Sequence, residues 1–250
     1  MPVKGFILAA GFGTRMRPIT EEIPKALVPV CTVPAIRFSI ELLKSADITD
    51  IFINTHYLGE ALERELGDGS KYNVNITYSH EDVILGTGGA LRKVVSQLEG
   101  QTLVVVNADT LISCPLKEAL AFHQEKNSIA TMVLRNDPKQ ASYGLIEIDS
   151  DNRIQRFLGE SGPNLQNAEA LKKYMFTGIH ILEPRFLEYI PPEISVCINR
   201  YAYPKALRNN EPLYGFVCSD PWRDLGQPDL YYQTNMDILN KRLSMTILTR

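Results

Sequence analysis

Short apolar runs alternate with helically spaced segments through the first 110 positions. Phe6 to Ala10 (FILAA) is continuously apolar and runs into glycines. That is the pattern of a central parallel strand covered on both faces. Ala35 to Lys44 repeats apolar positions at helical spacing and predicts a helix. Ile51 to Asn54 predicts a second strand, Leu58 to Leu66 a second helix, Ile76 to Tyr78 a short strand, and Gly89 to Leu98 a third helix. Leu103 to Val106 predicts another buried strand, ending at Asn107-Ala108-Asp109.

The second half is less regular. Ile129 to Leu134, Gly144 to Ile148 and Arg153 to Phe157 read as strands suited to antiparallel pairing, and Ser161 to Asn167 as a polar loop. Met175 to Leu182 predicts a strand, Pro184 to Tyr189 a short helix with proline in its first turn, Leu213 to Cys218 a late strand, and Asp229 to Arg242 a closing helix. The β-α-β-α rhythm predicts an α/β fold: a Rossmann-like three-layer sandwich with a mostly parallel, mixed central sheet. Ligands in such sheets bind at the carboxyl ends of the strands. The loops after Ala10, Asn54 and Val106 are therefore expected to be neighbours. No internal repeat or linker divides residues 1–250, so one domain is expected.

Composition narrows the partners. The net charge is −3 and the pI about 5.9, which does not suit a nucleic acid held along the surface. A small phosphorylated ligand needs only a local cationic pocket. No run reaches the roughly 18 apolar residues of a membrane span, and Met1 to Ala10 lacks the features of a secretory signal. Cys31, Cys114, Cys197 and Cys218 and the four histidines are scattered, without the spacing of a zinc site. Free thiols and a cytoplasmic location are expected. A homodimer is compatible with all of this.

The chemistry concentrates in Leu8-Ala9-Ala10-Gly11-Phe12-Gly13-Thr14-Arg15-Met16-Arg17-Pro18, followed by Pro24-Lys25. Gly11 and Gly13 let backbone amides approach a ligand. Arg15 offers planar donors to phosphate oxygens, and Lys25 a compact positive charge. Walker A spacing is absent. The third glycine of a dinucleotide fingerprint is absent too, which argues against a dinucleotide-dependent oxidoreductase.

This segment resembles the signature of the sugar-phosphate nucleotidyltransferases, and later motifs recur in the family's order. The resemblance implies catalytic roles for Arg15 and Lys25, with Leu8, Ala10, Gly11, Gly13 and Thr14 around the triphosphate. Glu81-Asp82-Val83-Ile84-Leu85-Gly86-Thr87-Gly88-Gly89 resembles the family's base and ribose loop. It implies base reading by Glu81 and nucleotide contacts from Gly86, Thr87 and Gly88, with the helix dipole pointing inward. Asp109, ending Val106-Asn107-Ala108-Asp109, and Asp224, in Trp222-Arg223-Asp224-Leu225-Gly226-Gln227-Pro228, match the family's two Mg²⁺ ligands.

The same resemblance implies a nucleotide-binding half over residues 1–110 and a sugar-phosphate half over residues 111–250. Asn107, Tyr143, Gly144, Glu160, Thr177 and Gly178 are the implied sugar contacts. Ser161 stands where the family carries a phosphate-holding lysine, with Arg156, Lys172, Lys173 and Arg223 as candidate substitutes. The implied reaction joins a nucleoside triphosphate to a sugar 1-phosphate. GTP with mannose 1-phosphate is the expected pair, because a carboxylate at Glu81 matches the two N–H groups of guanine. Uridylyl or thymidylyl transfer to a muramate, heptose or glucose 1-phosphate is the alternative. A non-catalytic nucleotide-sugar sensor would be expected to lack Arg15, Lys25, Asp109 or Asp224, and all four are present.

Overall fold

In the computed structural model, the structure describes residues 2–137, 145–165, 168–192 and 194–245. Tyr143 and Gly144 lie outside them. The elements in chain order are β1 (Val3–Leu8), α1 (Ile19–Glu22), β2 (Pro29–Val30), β3 (Val33–Pro34), α2 (Ala35–Ser45), β4 (Asp50–Thr55), α3 (Gly59–Leu66), β5 (Asn75–His80), α4 (Gly86–Lys93), β6 (Thr102–Asn107), β7 (Thr110–Ile112), α5 (Leu116–Glu125) and β8 (Ala130–Arg135). They continue with β9 (Leu145–Ile148), β10 (Ile154–Phe157), β11 (Glu160–Ser161), β12 (Lys172–Leu182), α6 (Pro184–Leu187), α7 (Ile198–Arg208), β13 (Leu213–Val217), β14 (Trp222–Asp224) and α8 (Pro228–Leu239).

These elements form two compact units drawn from interleaved segments. One takes Lys4–Ile84, Val106–Leu116 and Asp220–Arg250, and the other Met1–Val3, Leu85–Val105 and Lys117–Ser219. In the first, β1 pairs in parallel with β4, and β4 with β5. Phe6, Ile7, Ile51, Phe52 and Ile53 are buried on these strands. Each such side chain contributes about 1.5–3 kcal/mol by leaving water. The late strand β14 runs antiparallel to β7 and sets Asp224 opposite Thr110. Val30, Phe38, Leu111 and Leu225 form a small core with Leu243.

In the second unit, β12 pairs antiparallel with β9 along Lys172–Met175 and with β8 along Met175–Leu182. β13 joins β8 in parallel, so this part of the sheet is mixed, as an α/β fold of this kind requires. The ladder between β12 and β8 breaks register between Phe176 and His180, where Gly178 has φ 98°. This is a β-bulge, and glycine is the residue that tolerates that backbone. Among the described residues no helix is long and apolar enough to cross a membrane. All four cysteines are free thiols.

His180 is buried beneath the bulge, hydrogen-bonded through Nδ1 to the Tyr203 hydroxyl at 2.8 Å and stacked on its ring. Burial pushes its pKa down from 6.5 to about 3. The unfolded chain therefore takes up this proton first, and folding is penalised as pH falls below the ordinary histidine range. His180 is expected to remove about 1.4 kcal/mol of stability per pH unit between roughly pH 6.5 and 3. Chemical denaturation of wild type and of a His180→Phe/Tyr203→Phe pair across that range checks this. Equal pH slopes would assign the acid sensitivity elsewhere.

Candidate active site

The carboxyl ends of β1, β4 and β5 carry the first group of candidate residues. Leu8 lies opposite Asn54, and the Leu8 carbonyl accepts the Ala108 N–H at 3.1 Å. The three loops expected to be neighbours are thus joined by hydrogen bonds. After Ala10 the chain turns at Gly13, whose φ is 64°. A Cβ there would lie 2.9 Å from Thr20 Cγ2 and 3.2 Å from Lys25 Cβ, whereas one on Gly11 would meet nothing. Gly13 is therefore the glycine this turn demands. Its carbonyl accepts the Met16 N–H and the Thr20 hydroxyl, each at 2.8 Å. Buried Met16 anchors the turn, while Thr14 and Arg15 stand exposed on it.

Lys25 pairs its ammonium with Asp109 Oδ2. Asp224 joins them through the β7–β14 ladder, and the Leu225 N–H donates to the Asp109 carbonyl at 3.0 Å. One Asp224 oxygen accepts the Gly226 N–H at 2.7 Å. Burial raises the Asp224 pKa and the nearby Asp109 carboxylate raises it further, while the Gly226 N–H, Lys25 and Arg15 pull it down. A Cβ on Gly226 would lie 2.8 Å from Asp224 Oδ1 and 2.9 Å from Arg15 Nη2. Gly226 thus makes room for the arginine beside the carboxylate. Two cations and two carboxylates, taken from four separate stretches of chain, converge here.

Glu81 is 4% exposed. Its Oε1 accepts the Asn54 amide at 2.8 Å, so a clamp in which both oxygens accept from guanine is not preformed. Phe12 is partly exposed in the glycine turn, with its ring edge-on to His56 at 5.3 Å. Asn107 ends β6, where its carbonyl accepts the Ser39 hydroxyl at 3.1 Å.

In the second unit, α4 starts at Gly86, three residues before the expected start, and its opening is packed on residues 194–198. The Gly88 N–H donates to the Val196 carbonyl at 2.8 Å, and Thr87 Oγ1 accepts the Ile198 N–H at 3.0 Å. A Cβ on Gly86 would lie 2.7 Å from the Val196 oxygen, and one on Gly89 2.4 Å from the Ile194 oxygen. Backbone packing is therefore a sufficient reason for these glycines. Thr177 donates its hydroxyl to the Val133 carbonyl at 2.8 Å and is buried.

Glu160 pairs with Arg208 of α7 at 3.1 Å, a partner the motif reading did not include. Of the candidate substitutes for the missing lysine, Arg156 holds Glu147 at 2.9 Å and Ser161 Oγ at 3.2 Å. Arg223 lies in the first unit against Asp237. Lys172 and Lys173 are exposed at the start of β12.

The family described as "Nucleotidyl transferase" matches residues 4–241. A UTP–glucose-1-phosphate uridylyltransferase of Synechocystis is 33% identical over 96% of this chain and 64% of its own length. A mannose-1-phosphate guanylyltransferase of Mycobacterium tuberculosis is 28% identical over 95% of this chain and 65% of its own. The chain thus spans a little under two thirds of these relatives. A Bacillus anthracis crystal structure, provisionally assigned as a glucose-1-phosphate thymidylyltransferase, superposes with a TM-score of 0.81 at 24% identity over 97% of each chain, a likeness of fold.

Proposed function

The chain belongs to the nucleotidyl transferase family, and we propose that it transfers a nucleoside monophosphate from a nucleoside triphosphate to a sugar 1-phosphate, releasing pyrophosphate. The observation that carries this reading is the convergence of Arg15, Lys25, Asp109 and Asp224 at the strand ends. A sugar 1-phosphate is already an anion, so no general base is needed. The protein's work is to position two anionic reactants and neutralise charge at the α-phosphate. Arg15 and the amides of the Gly13 turn hold the triphosphate. Lys25 faces the charge that develops during in-line attack.

The donor set fits a divalent ion. Asp224 is held partly desolvated beside a second carboxylate, a repulsion that a shared dication relieves. Asp109 and Asp224 would hold Mg²⁺, which would neutralise phosphate charge when bound. Without it, Lys25 compensates Asp109.

The preferred pair in this proposal is GTP with mannose 1-phosphate. Its support is the guanylyltransferase relatives, which include one from Schizosaccharomyces pombe at 33% identity. Uridylyl transfer to glucose 1-phosphate is the second reading, favoured by the Synechocystis relative. A pyrophosphate-release screen of four nucleotides against a panel of sugar 1-phosphates decides between them. No release with any pair would remove the reaction itself. Glu81→Gln keeps an acceptor oxygen for Asn54 but removes the charge, so GTP preference over UTP is expected to fall about tenfold. An unchanged ratio of kcat/KM values would show that Glu81 does not read the base.

A further inference from the structure

Asn54 lies near the end of the middle strand of the parallel trio and is buried. Its amide makes two hydrogen bonds of opposite sense. Oδ1 accepts the Ala9 N–H at 2.8 Å, and Nδ2 donates to Glu81 Oε1 at 2.8 Å. Ala9 leads directly into the glycine turn, and Glu81 directly follows β5. One side chain thus ties the outgoing ends of both flanking strands. The same stretch of chain holds Glu81 twice more. The Thr55 carbonyl accepts the Glu81 N–H at 2.8 Å, and His56 Nδ1 donates to the Glu81 carbonyl at 2.7 Å.

We propose that Asn54 is a positioning residue that fixes the Glu81 carboxylate and the entry to the phosphate turn in a single register, so that base contact and phosphate placement are set together. The inference rests on the nucleotide-binding reading above. Its chemical basis is specific. An asparagine amide accepts and donates at once, whereas aspartate only accepts and leucine does neither. The bond to Glu81 is buried and the bond to Ala9 half-buried, and a polar group left there without its partner is costly.

The two bonds can be separated. Asn54→Asp retains an oxygen for Ala9 but sets an acceptor against Glu81. Asn54→Asp/Glu81→Gln restores the second bond with its direction reversed, the glutamine amide donating to the aspartate. Steady-state kinetics and direct binding of a non-hydrolysable triphosphate analogue are measured for wild type, both single variants and the double variant. Asn54→Asp is expected to raise KM for the triphosphate at least about tenfold while kcat changes less than about threefold. The double variant is expected to return to within about threefold of Glu81→Gln alone, a coupling that independent sites do not give.

A wild-type KM in Asn54→Asp, or a double variant as weak as Asn54→Asp, would overturn the inference. If Asn54→Asp fails to fold, the double variant still decides, because its aspartate and glutamine together carry the same charge as the native pair. A wild-type protein that binds no nucleoside triphosphate would remove the nucleotide reading as well. Normal wild-type turnover with normal Asn54→Asp removes only this one.

Discussion

Replacing Asp109 or Asp224 by asparagine is expected to reduce pyrophosphate release to background while leaving the protein folded. An amide cannot neutralise a divalent cation as a carboxylate does. The structural cost should be small, because the amide introduced by Asp224→Asn keeps an oxygen for the Gly226 N–H. Asp224 is held partly desolvated beside a like charge, so Asp224→Asn should melt at the wild-type temperature or above it. Higher stability with lost activity is the signature of a site kept strained for function. The double replacement should be no worse than either single one if, as proposed, both residues serve one ion. Turnover and melting are measured together across a magnesium titration with an EDTA control. Full activity in EDTA, or normal turnover in either variant, would end the two-carboxylate reading.

Arg15→Ala and Lys25→Ala are each expected to lower kcat/KM by at least about 100-fold, the scale of losing one preorganised charge partner at a transition state. Their stabilities should separate. Arg15 is exposed and only lowers the Asp224 pKa from beside it, so its loss should lower the melt less than the loss of Lys25. Lys25 compensates Asp109 through a partly buried pair, so its loss should lower the melt without divalent ion and spare it with the ion present. Near-normal turnover in either variant would free that residue of its assigned role.

Much of the fold is legible from periodicity, and the failures have particular causes. The buried strands β1, β4 and β6 read clearly because unbroken apolar runs suit strands covered on both faces. Helix α7 does not read as one because Pro204 lies inside it and its buried face is partly aromatic. Helix α5 carries Leu116, Ala119 and His123 at helical spacing, all buried, and is readable in principle. Strands β7 and β14 are only three residues each, too short to show a period. The third helix, expected at Gly89 to Leu98, spans Gly86–Lys93, followed by a 3₁₀ turn at Val95–Gln97. Glycines at its start look like a loop, and the approach of residues 194–198 that accounts for them is a tertiary fact.

The candidate site divides in the same way. The Gly13 turn and Lys25 announce themselves through residue type and spacing, and Asp109 through the family resemblance. Asn54 carries no such signal, because its importance lies in Ala9 and Glu81, partners 45 and 27 positions away. Arg208 beside Glu160 is invisible for the same reason.

The order of synthesis gives the β7–β14 ladder a further meaning. Thr110 must wait until Asp224 has been made before the two can pair. A nascent chain on the ribosome can complete β1, β4 and β5 early and still lack one of the two carboxylates. Closing so long a loop is also entropically slow. On the proposed reading, a chain released before Trp222 would carry the glycine turn, Lys25 and Asp109 but lack the second carboxylate, and with it Leu225 and Leu243 of the small core. Premature termination would then yield an inert chain rather than a weak enzyme.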